Sequence, residues 1–234
     1  MGAIFKREFK AYFTSPMGYV ILAIMTLFQG LYFSQLFAAQ SADIGFVFSQ
    51  MVMIMFFIIP ILTMRTMSED RRQKVDQVLI TSPVSLYAIV LGKFLATFVI
   101  FMLGYGITVL FEIILAAQDV SINILEYIGN LLGVALAGSS LISLGIFISS
   151  LTESQLIAAI ASFAISLLIY MLDFFSSLIN LTFVNKIVEW ISFTGRYAAF
   201  AEGVIDYSNI VFFLSFSAVF LFLTVRVLDK RRYS

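Results

Sequence analysis

The sequence predicts an all-α integral membrane protein with six transmembrane helices. Of its 234 residues, 61% are hydrophobic and only 12% are charged, and the mean hydropathy is +1.03. Soluble domains carry about 25% charged residues, so this chain has too few charges to solvate a surface of its size. Its apolar residues also form long continuous runs, whereas the strands of a membrane β-barrel alternate apolar and polar residues.

Six of these runs are long enough to cross a bilayer. A hydrocarbon core of about 30 Å requires about 20 helical residues. Apart from a closed β-barrel, only a helix pairs all its backbone hydrogen-bonding groups within lipid. We therefore expect one transmembrane domain over residues 1–234, with spans at residues 17–39, 44–64, 86–117, 124–150, 155–180 and 209–228.

The distribution of basic residues predicts the orientation of the chain. An even number of spans places both termini on one side, and lysine and arginine are retained in the cytoplasm. Only Lys186 and Arg196 fall on the opposite side. Both termini are therefore expected to be cytoplasmic, together with the remaining basic residues Lys6, Arg7, Lys10, Arg65, Arg71, Arg72, Lys74, Lys93, Arg226, Lys230, Arg231 and Arg232.

The composition argues against most catalytic classes. The chain contains no cysteine and no histidine, which removes disulfides, thiolate and imidazole metal ligands, and the usual near-neutral general base. Gly92-Lys93 lacks the upstream glycine of a phosphate-binding loop, so we do not expect this chain to hydrolyse ATP. The balance of 14 basic and 14 acidic residues gives no reason to expect nucleic acid as a partner. The sequence thus predicts no catalytic residue, bound cofactor or metal site.

Residues 1–16 are expected to form an amphipathic helix at the inner membrane surface. Lys6, Arg7 and Lys10 face away from aromatic residues that recur at helical spacing, namely Phe5, Phe9, Tyr12 and Phe13. Anchoring in lipid and transmission of motion are both compatible with such a helix. At its end, Ser15 is predicted to cap the first span and Pro16 to occupy its first turn.

Residues 65–85 form the most polar segment and the only sizeable loop predicted on the cytoplasmic side, so a soluble partner would dock there. Ser68 predicts a helix start, with Glu69 and Asp70 at the positive end of its dipole. Two interpretations stay open: a solvated loop whose arginines fix topology, and a short charged helix that acts as a rigid lever. Pro60 is predicted to kink the second span before this segment.

Residues 181–208 are too apolar for a solvated loop and too interrupted for a span. Gly195 and Gly203 break the segment, which also contains Trp190, Phe193, Tyr197 and Phe200. A pair of short re-entrant or interfacial helices on the extracellular side fits this pattern best.

A few polar residues within the spans are candidates for a pathway or gate. Gln29 lies near the predicted bilayer centre, where an interhelical hydrogen bond or pathway lining would use it. Lys93 and Glu112 are expected at opposite interfaces of the third span, where both side chains can snorkel to the surface. Asp173 is expected near the outer interface, at the end of a mildly polar face that includes Tyr170. The candidates are Gln29, Glu112, Tyr170 and Asp173.

Rows of small residues predict close helix packing in the fourth and fifth spans. Glycine, alanine and serine at four-residue spacing let helix backbones approach each other in lipid. The rows are Gly129, Gly133, Ala137, Gly145 and Ser149 in the fourth span and Ala158, Ser162 and Ser166 in the fifth.

Across its whole length the chain resembles the permease subunit of a type-2 ABC export system, and more narrowly the gliding-motility-associated permeases. The order and spacing of several segments carry this resemblance. They are FKREFKAYFTSPMGYV at 5–20, LTMR at 62–65, EDRRQK at 69–74, LITSPVS at 79–85, IVLGKF at 89–94, FAEGVID at 200–206 and FLFLTVRVL at 220–228.

The resemblance implies a six-helix half-transporter in a bacterial inner membrane. Such a subunit pairs with a second permease, a copy or a paralogue, and with two separate ABC ATPase subunits that bind Mg-ATP. The resemblance places the ATPase-coupling helix at Glu69, Asp70, Arg71, Arg72, Gln73, Lys74, Asp76 and Gln77. Many relatives carry Gly-Thr and then Glu where this chain has Lys74-Val75 and Gln77, which leaves Asp76 as the candidate acid.

Two other functions use the same features. A proton-coupled secondary transporter would use Glu112 and Asp173, but both are expected near the outer interface and no second half-repeat is obvious. A machine that transmits ATP-driven motion to an envelope protein without transport would need the same lever and an extracellular accessory partner. The apolar, aromatic-rich interior suits a lipid-like or amphipathic cargo, and equally suits helix packing. The sequence does not distinguish a homodimer from a heterodimer.

Overall fold

The computed structural model describes residues 1–39, 43–75, 84–117, 124–178 and 192–232, and the regular structure within these ranges is helical. The helices are α1 (Gly2–Thr14), α2 (Pro16–Ala38), α3 (Gly45–Thr63), α4 (Arg65–Arg72), α5 (Leu86–Tyr105), α6 (Thr108–Ala116), α7 (Ile124–Leu151), α8 (Gln155–Leu178), α9 (Phe193–Ala201) and α10 (Tyr207–Arg232).

Six helical segments in these ranges are long and apolar enough to cross a membrane. They are Pro16–Ala38, Gly45–Arg72, Leu86–Ala116, Ile124–Leu151, Gln155–Leu172 and Tyr207–Arg231. The second segment joins α3 to α4, and the third joins α5 to α6. The predicted all-helical class with six candidate spans is therefore confirmed.

Helix α7 lies at the centre of the bundle, where it packs against α3, α4, α5, α8, α9 and α10. Its small residues allow this contact. Gly133 lies against Phe200 and Tyr197, and a methyl group at Gly138 would collide with the buried ring of Phe101. Gly145 lies in the same way against Thr63. The predicted close packing of the fourth span is confirmed, because no larger side chain fits at these contacts.

Hydrogen bonds between serines strengthen the contact of α7 with α10. Ser140 Oγ donates to the Phe213 carbonyl at 2.9 Å, and Ser217 Oγ lies 3.2 Å from the hydroxyls of both Ser139 and Ser140. Such bonds contribute about 1 kcal/mol each between membrane helices, where no water competes for them.

The second span is interrupted four residues after Pro60. The proline lies inside α3, which continues to Thr63, and α4 begins at Arg65. Proline cannot donate the helical hydrogen bond to the preceding turn. The main-chain nitrogen of Met64 still donates to the Pro60 carbonyl at 3.0 Å. The kink at Pro60 stays a prediction, and the boundary at Met64 separates the apolar α3 from the polar α4.

Substituting Gly138 with alanine should destabilise the protein by about 1 to 3 kcal/mol, because the added methyl group displaces the Phe101 ring. Gly30→Ala is the matched control: a methyl group there meets no atom within 4 Å, so the better helix propensity of alanine should leave stability unchanged or raise it by up to about 1 kcal/mol. Thermal unfolding in detergent measures both. Equal effects of the two substitutions would contradict the packing described for α7.

Candidate functional site

The candidate site is built around α4, at the end of the bundle that we call the basic end. Five elements meet there: α1, α4, the first turns of α5, and the last turns of α7 and α10. Helix α4 contains most of the charged residues of the polar segment, and its last residue is the exposed Arg72. Its position follows in part from the chain, since only Met64 separates α4 from the buried α3.

A cluster of four charged side chains joins α4 to α1 and α5; we call it the charge cluster, Arg7, Glu8, Asp70 and Lys93. Lys93 Nζ lies 2.6 Å from Asp70 Oδ2 and 3.0 Å from Glu8 Oε1. It also donates to the Thr66 carbonyl at 2.6 Å. Three acceptors match the three protons of an ammonium group. The side chain of Lys93 is only 1% exposed, so the two carboxylates compensate a charge that water does not reach.

Arg7 completes the charge cluster from the solvent side. Its guanidinium contacts Glu8 Oε1 at 2.5 Å and Asp70 Oδ2 at 3.2 Å. The cluster thus holds two positive and two negative side chains, and it ties three helices together. The expectation that Lys93 snorkels to the membrane surface is wrong, because acidic partners on α1 and α4 are within reach inside the protein.

Arg65 forms a second connection between α4 and α1. It donates to Ser15 Oγ at 2.8 Å and to the Ala11 carbonyl at 3.3 Å, and its guanidinium lies 5.2 Å from the centroid of the Tyr12 ring. It also lies 3.5 Å from Glu69 on its own helix. The last turn of α1 is therefore fixed to the first turn of α4.

Tyr12 anchors the same turn of α1 to the bundle. Its hydroxyl donates to the Leu62 carbonyl at 2.9 Å and lies 3.2 Å from Thr97 Oγ1. Burial raises the pKa of the Tyr12 phenol, so it stays protonated and able to donate. Residues from α3 and α5 thus meet one side chain of α1.

Ser149 on α7 caps the start of α4 from a distant part of the chain. Its Oγ accepts hydrogen bonds from the main-chain nitrogens of Met67 and Ser68, both at 3.1 Å, and donates to the Met64 carbonyl at 2.9 Å. The first turn of a helix has amide groups without intrahelical partners, and a side chain at the helix start usually supplies the acceptor. Here a side chain from another helix supplies it.

The predicted cap residues play different parts. Ser68 lies inside α4 and donates to the Met64 carbonyl, because the helix begins one turn earlier than the sequence suggested. Ser15 does precede α2, with Pro16 in its first turn. However, its hydroxyl accepts from Arg65 and caps no main-chain amide of α2. Both predictions of side-chain capping are wrong, since Arg65 takes the Ser15 hydroxyl and the Ser68 hydroxyl bonds to the preceding turn of the chain.

The end of α4 faces α7 and the segment that follows it. Arg71 donates to the Leu151 carbonyl at 3.1 Å and pairs with Glu153 at 2.8 Å. Arg231 of α10 donates to the neighbouring Ser150 carbonyl. Cations at the end of α7 also face the negative pole of that helix.

The remaining described residues predicted for coupling lie at the end of α4 and directly after it. Arg72, Gln73 and Lys74 are exposed, and Gln73 Nε2 donates to Glu69 at 3.2 Å. Lys74 has a φ of 59°, a left-handed conformation that favours glycine and often ends helices. Asp76 and Gln77 lie outside the described residues. Thr81-Ser82-Pro83, which repeats the Thr14-Ser15-Pro16 before α2, also lies outside them.

The four pathway candidates do not form one site. Gln29 is fully buried, and its amide atoms have no hydrogen-bond partner among the described residues. Tyr170 lines a cavity at the other end of the bundle, and neither Gln29 nor Glu112 lines it. The backbone of Asp173 lies in α8, but its side chain is outside the described part. Residues 181–191 are also outside it, and the described rest of segment 181–208 contains α9.

The contacts that Glu8, Lys93 and Ser149 make with α4 and with one another were not predicted from the sequence. One signal was available for the first two: a lysine near the start of an apolar span needs an anionic partner if it is not exposed. The acids of α1 and of segment 65–85 were the candidates. Nothing in the sequence indicated that Ser149 would cap a helix some 80 residues away.

Replacing Lys93 with methionine should destabilise the protein by about 3 to 5 kcal/mol, because Glu8 and Asp70 then face each other without the buried cation. Adding Glu8→Gln and Asp70→Asn to Lys93→Met should recover a large part of this loss. Lys10→Met, on the exposed side of α1, is the control and should change stability by less than about 0.5 kcal/mol. Thermal unfolding measures the stability of all three variants. If the triple variant were no more stable than Lys93→Met, the pairing of Lys93 with Glu8 and Asp70 would be contradicted.

A known protein family matches most of the chain. A search of the curated proteins found no match. The sequence model for the family described as "ABC-2 family transporter protein" matches residues 12–226, which include α2 to α9 and most of α10. This range covers most of the chain, and the described residues contain six candidate spans. The chain therefore belongs to the ABC-2 transporter family, as a permease component of an ABC transporter.

Proposed function

We propose that the chain is the membrane subunit of an ATP-driven export system and that α4 is its coupling helix. The observation that carries this proposal is the way α4 is held. Its inner side contacts α1, α5 and α7 through the charge cluster, Arg65 and Ser149. Its last residue, Arg72, and the following Gln73 and Lys74 are exposed. A partner that binds these exposed residues would act on a helix fixed to three others.

Rigidity is what such a lever needs. A displacement of α4 that kept its contacts would carry α1 and α5 with it, since breaking the charge cluster would strand a buried charge. Nucleotide can drive this displacement only if it binds one state of the assembly more tightly than the other. The ATPase subunits would supply that difference in affinity, and this chain would supply the translocation path.

The proposed assembly contains two ATPase subunits with Mg-ATP and a second permease, either a copy of this chain or a paralogue. The basic end would face the cytoplasm, because most of the lysines and arginines lie there. A bacterial inner membrane is the proposed location, and the narrower relationship to gliding-motility permeases is also a proposal. An extracellular accessory protein is a further candidate partner. ATP hydrolysis would belong to the ATPase subunits and not to this chain.

Reversing the charges of Arg72 and Lys74 to glutamate should weaken association with the ATPase subunits at least about tenfold, because a hydrogen-bonded or charged contact at an interface contributes about 1.4 kcal/mol or more. Co-purification in detergent and ATPase activity in liposomes measure the effect. Lys230→Glu is the matched control, since Lys230 is exposed on α10 at the same end. It should leave both association and activity unchanged.

Two outcomes would contradict the coupling proposal. One is equal association of the Arg72→Glu/Lys74→Glu variant and the native chain. The other is equal loss in the Lys230→Glu control, which would indicate a general charge effect at the basic end.

A further inference from the structure

Helix α1 carries a surface that the charge cluster does not use. Its inner side faces the bundle through Ile4, Glu8 and Tyr12. Successive residues of a helix are rotated by about 100°, so a row of aromatic side chains lies beside this inner side, and two exposed lysines lie beyond the row. We call this surface the outer face of α1: Phe5, Lys6, Phe9, Lys10 and Phe13.

The aromatic row of the outer face continues onto the first candidate span. The ring centroids of Phe5 and Phe9 lie 5.8 Å apart, and those of Phe9 and Phe13 lie 5.2 Å apart. The Phe13 ring lies 5.5 Å from the ring of Tyr19 in α2. Tyr19 and the neighbouring Val20 are both more than half exposed on this span. The row is therefore continuous with an apolar surface that lipid would cover.

Contacts with α5 place α1 at the depth of the membrane surface. The candidate span that begins at Leu86 has 31 residues, or about 46 Å at 1.5 Å per residue. This length exceeds a hydrocarbon core of about 30 Å, so the first turns of α5 cross the headgroup region. A methyl group at Gly92 would lie 3.0 Å from Ile4, and the Tyr12 hydroxyl lies 3.2 Å from Thr97 Oγ1. Helix α1 thus lies beside turns of α5 where headgroups meet hydrocarbon.

The two lysines of the outer face have no ion-pair partner among the described residues. The acids of α1 and α4, namely Glu8, Glu69 and Asp70, already pair with other cations. Helices α2 and α5, which pack against α1, contain no acid. Lys6 and Lys10 are also four residues apart, a spacing at which like charges repel each other on a helix. Anions from outside the chain would offset this repulsion.

We propose that the outer face of α1 binds the headgroups of anionic phospholipids. The phenyl rings would lie at the boundary between headgroups and acyl chains, and Lys6 and Lys10 would extend past them to the lipid phosphates. A lysine near a membrane surface favours anionic lipid about fivefold. The inference goes beyond the proposed coupling function and does not depend on it, because the outer face points away from the charge cluster and α4.

Quenching of tryptophan fluorescence by brominated lipids tests the proposal on the full chain. Phe9→Trp combined with Trp190→Phe leaves one indole, on the outer face. The chain is reconstituted in equal mixtures of phosphatidylglycerol and phosphatidylcholine in which only one of the two lipids is brominated. The two degrees of quenching give the relative affinity of the lipids beside this indole. We expect a preference for phosphatidylglycerol of at least about fivefold; equal quenching by the two brominated lipids would overturn the proposal.

Charge variants in this tryptophan background locate the binding to the lysines. Lys6→Gln/Lys10→Gln should lower the preference to about one, because glutamine keeps a polar side chain and removes the charge. Lys230→Gln is the matched control: Lys230 is exposed on α10 at the basic end, and its loss should leave the lipid preference beside α1 unchanged. A native preference in the double variant, or an equal loss in Lys230→Gln, would contradict the proposal. Thermal unfolding verifies that each variant is folded.

Salts distinguish a lipid headgroup from free phosphate as the ligand. Sodium chloride and sodium phosphate at equal ionic strength should weaken the preference for phosphatidylglycerol to the same extent, because the screening of exposed charges depends on ionic strength. A selective loss of the preference in sodium phosphate would assign Lys6 and Lys10 to a soluble phosphate ligand and overturn the lipid site.

Discussion

The charge of Lys93 is the constraint on which the arrangement of the basic end depends. The side chain starts from a helix inside the bundle and is 1% exposed, so its ammonium group must find anionic partners in the protein. Glu8 and Asp70 are those partners, and they come from segments far apart in the sequence. Meeting this one requirement places α1 and α4 beside α5 and gives the polar segment a fixed position.

Helix α7 supplies the second fixed surface. Glycine and serine along it let α3, α9 and α10 approach closely, and the hydroxyl of Ser149 completes the start of α4. The same small residues thus serve packing and capping. Because α4 is held between this surface and the charge cluster, its exposed residues are presented on a rigid support. This is the property that the proposed coupling to an ATPase uses.

The sequence predicted the spans well because their signal is local. Each needs only a run of apolar residues of sufficient length, and the amphipathic pattern of α1 and the small residues of α7 are equally visible in short windows. The side-chain contacts of the site were harder to predict, because they join residues about 20 to 90 positions apart. Ser15 and Ser68 show the difference, since their local cap signals were overridden by Arg65 and by the continuation of α3 into α4.

The central claim is that α1 and α4 move as one unit. Since the chain has no cysteine, spin labels on Lys10→Cys and Gln73→Cys can report the distance between these helices by pulsed electron paramagnetic resonance. The account predicts one narrow distance distribution that does not change when ATPase subunits and nucleotide are added, and a broad one after Lys93→Met. A native distribution that is broad, or that shifts with nucleotide, would contradict the claim.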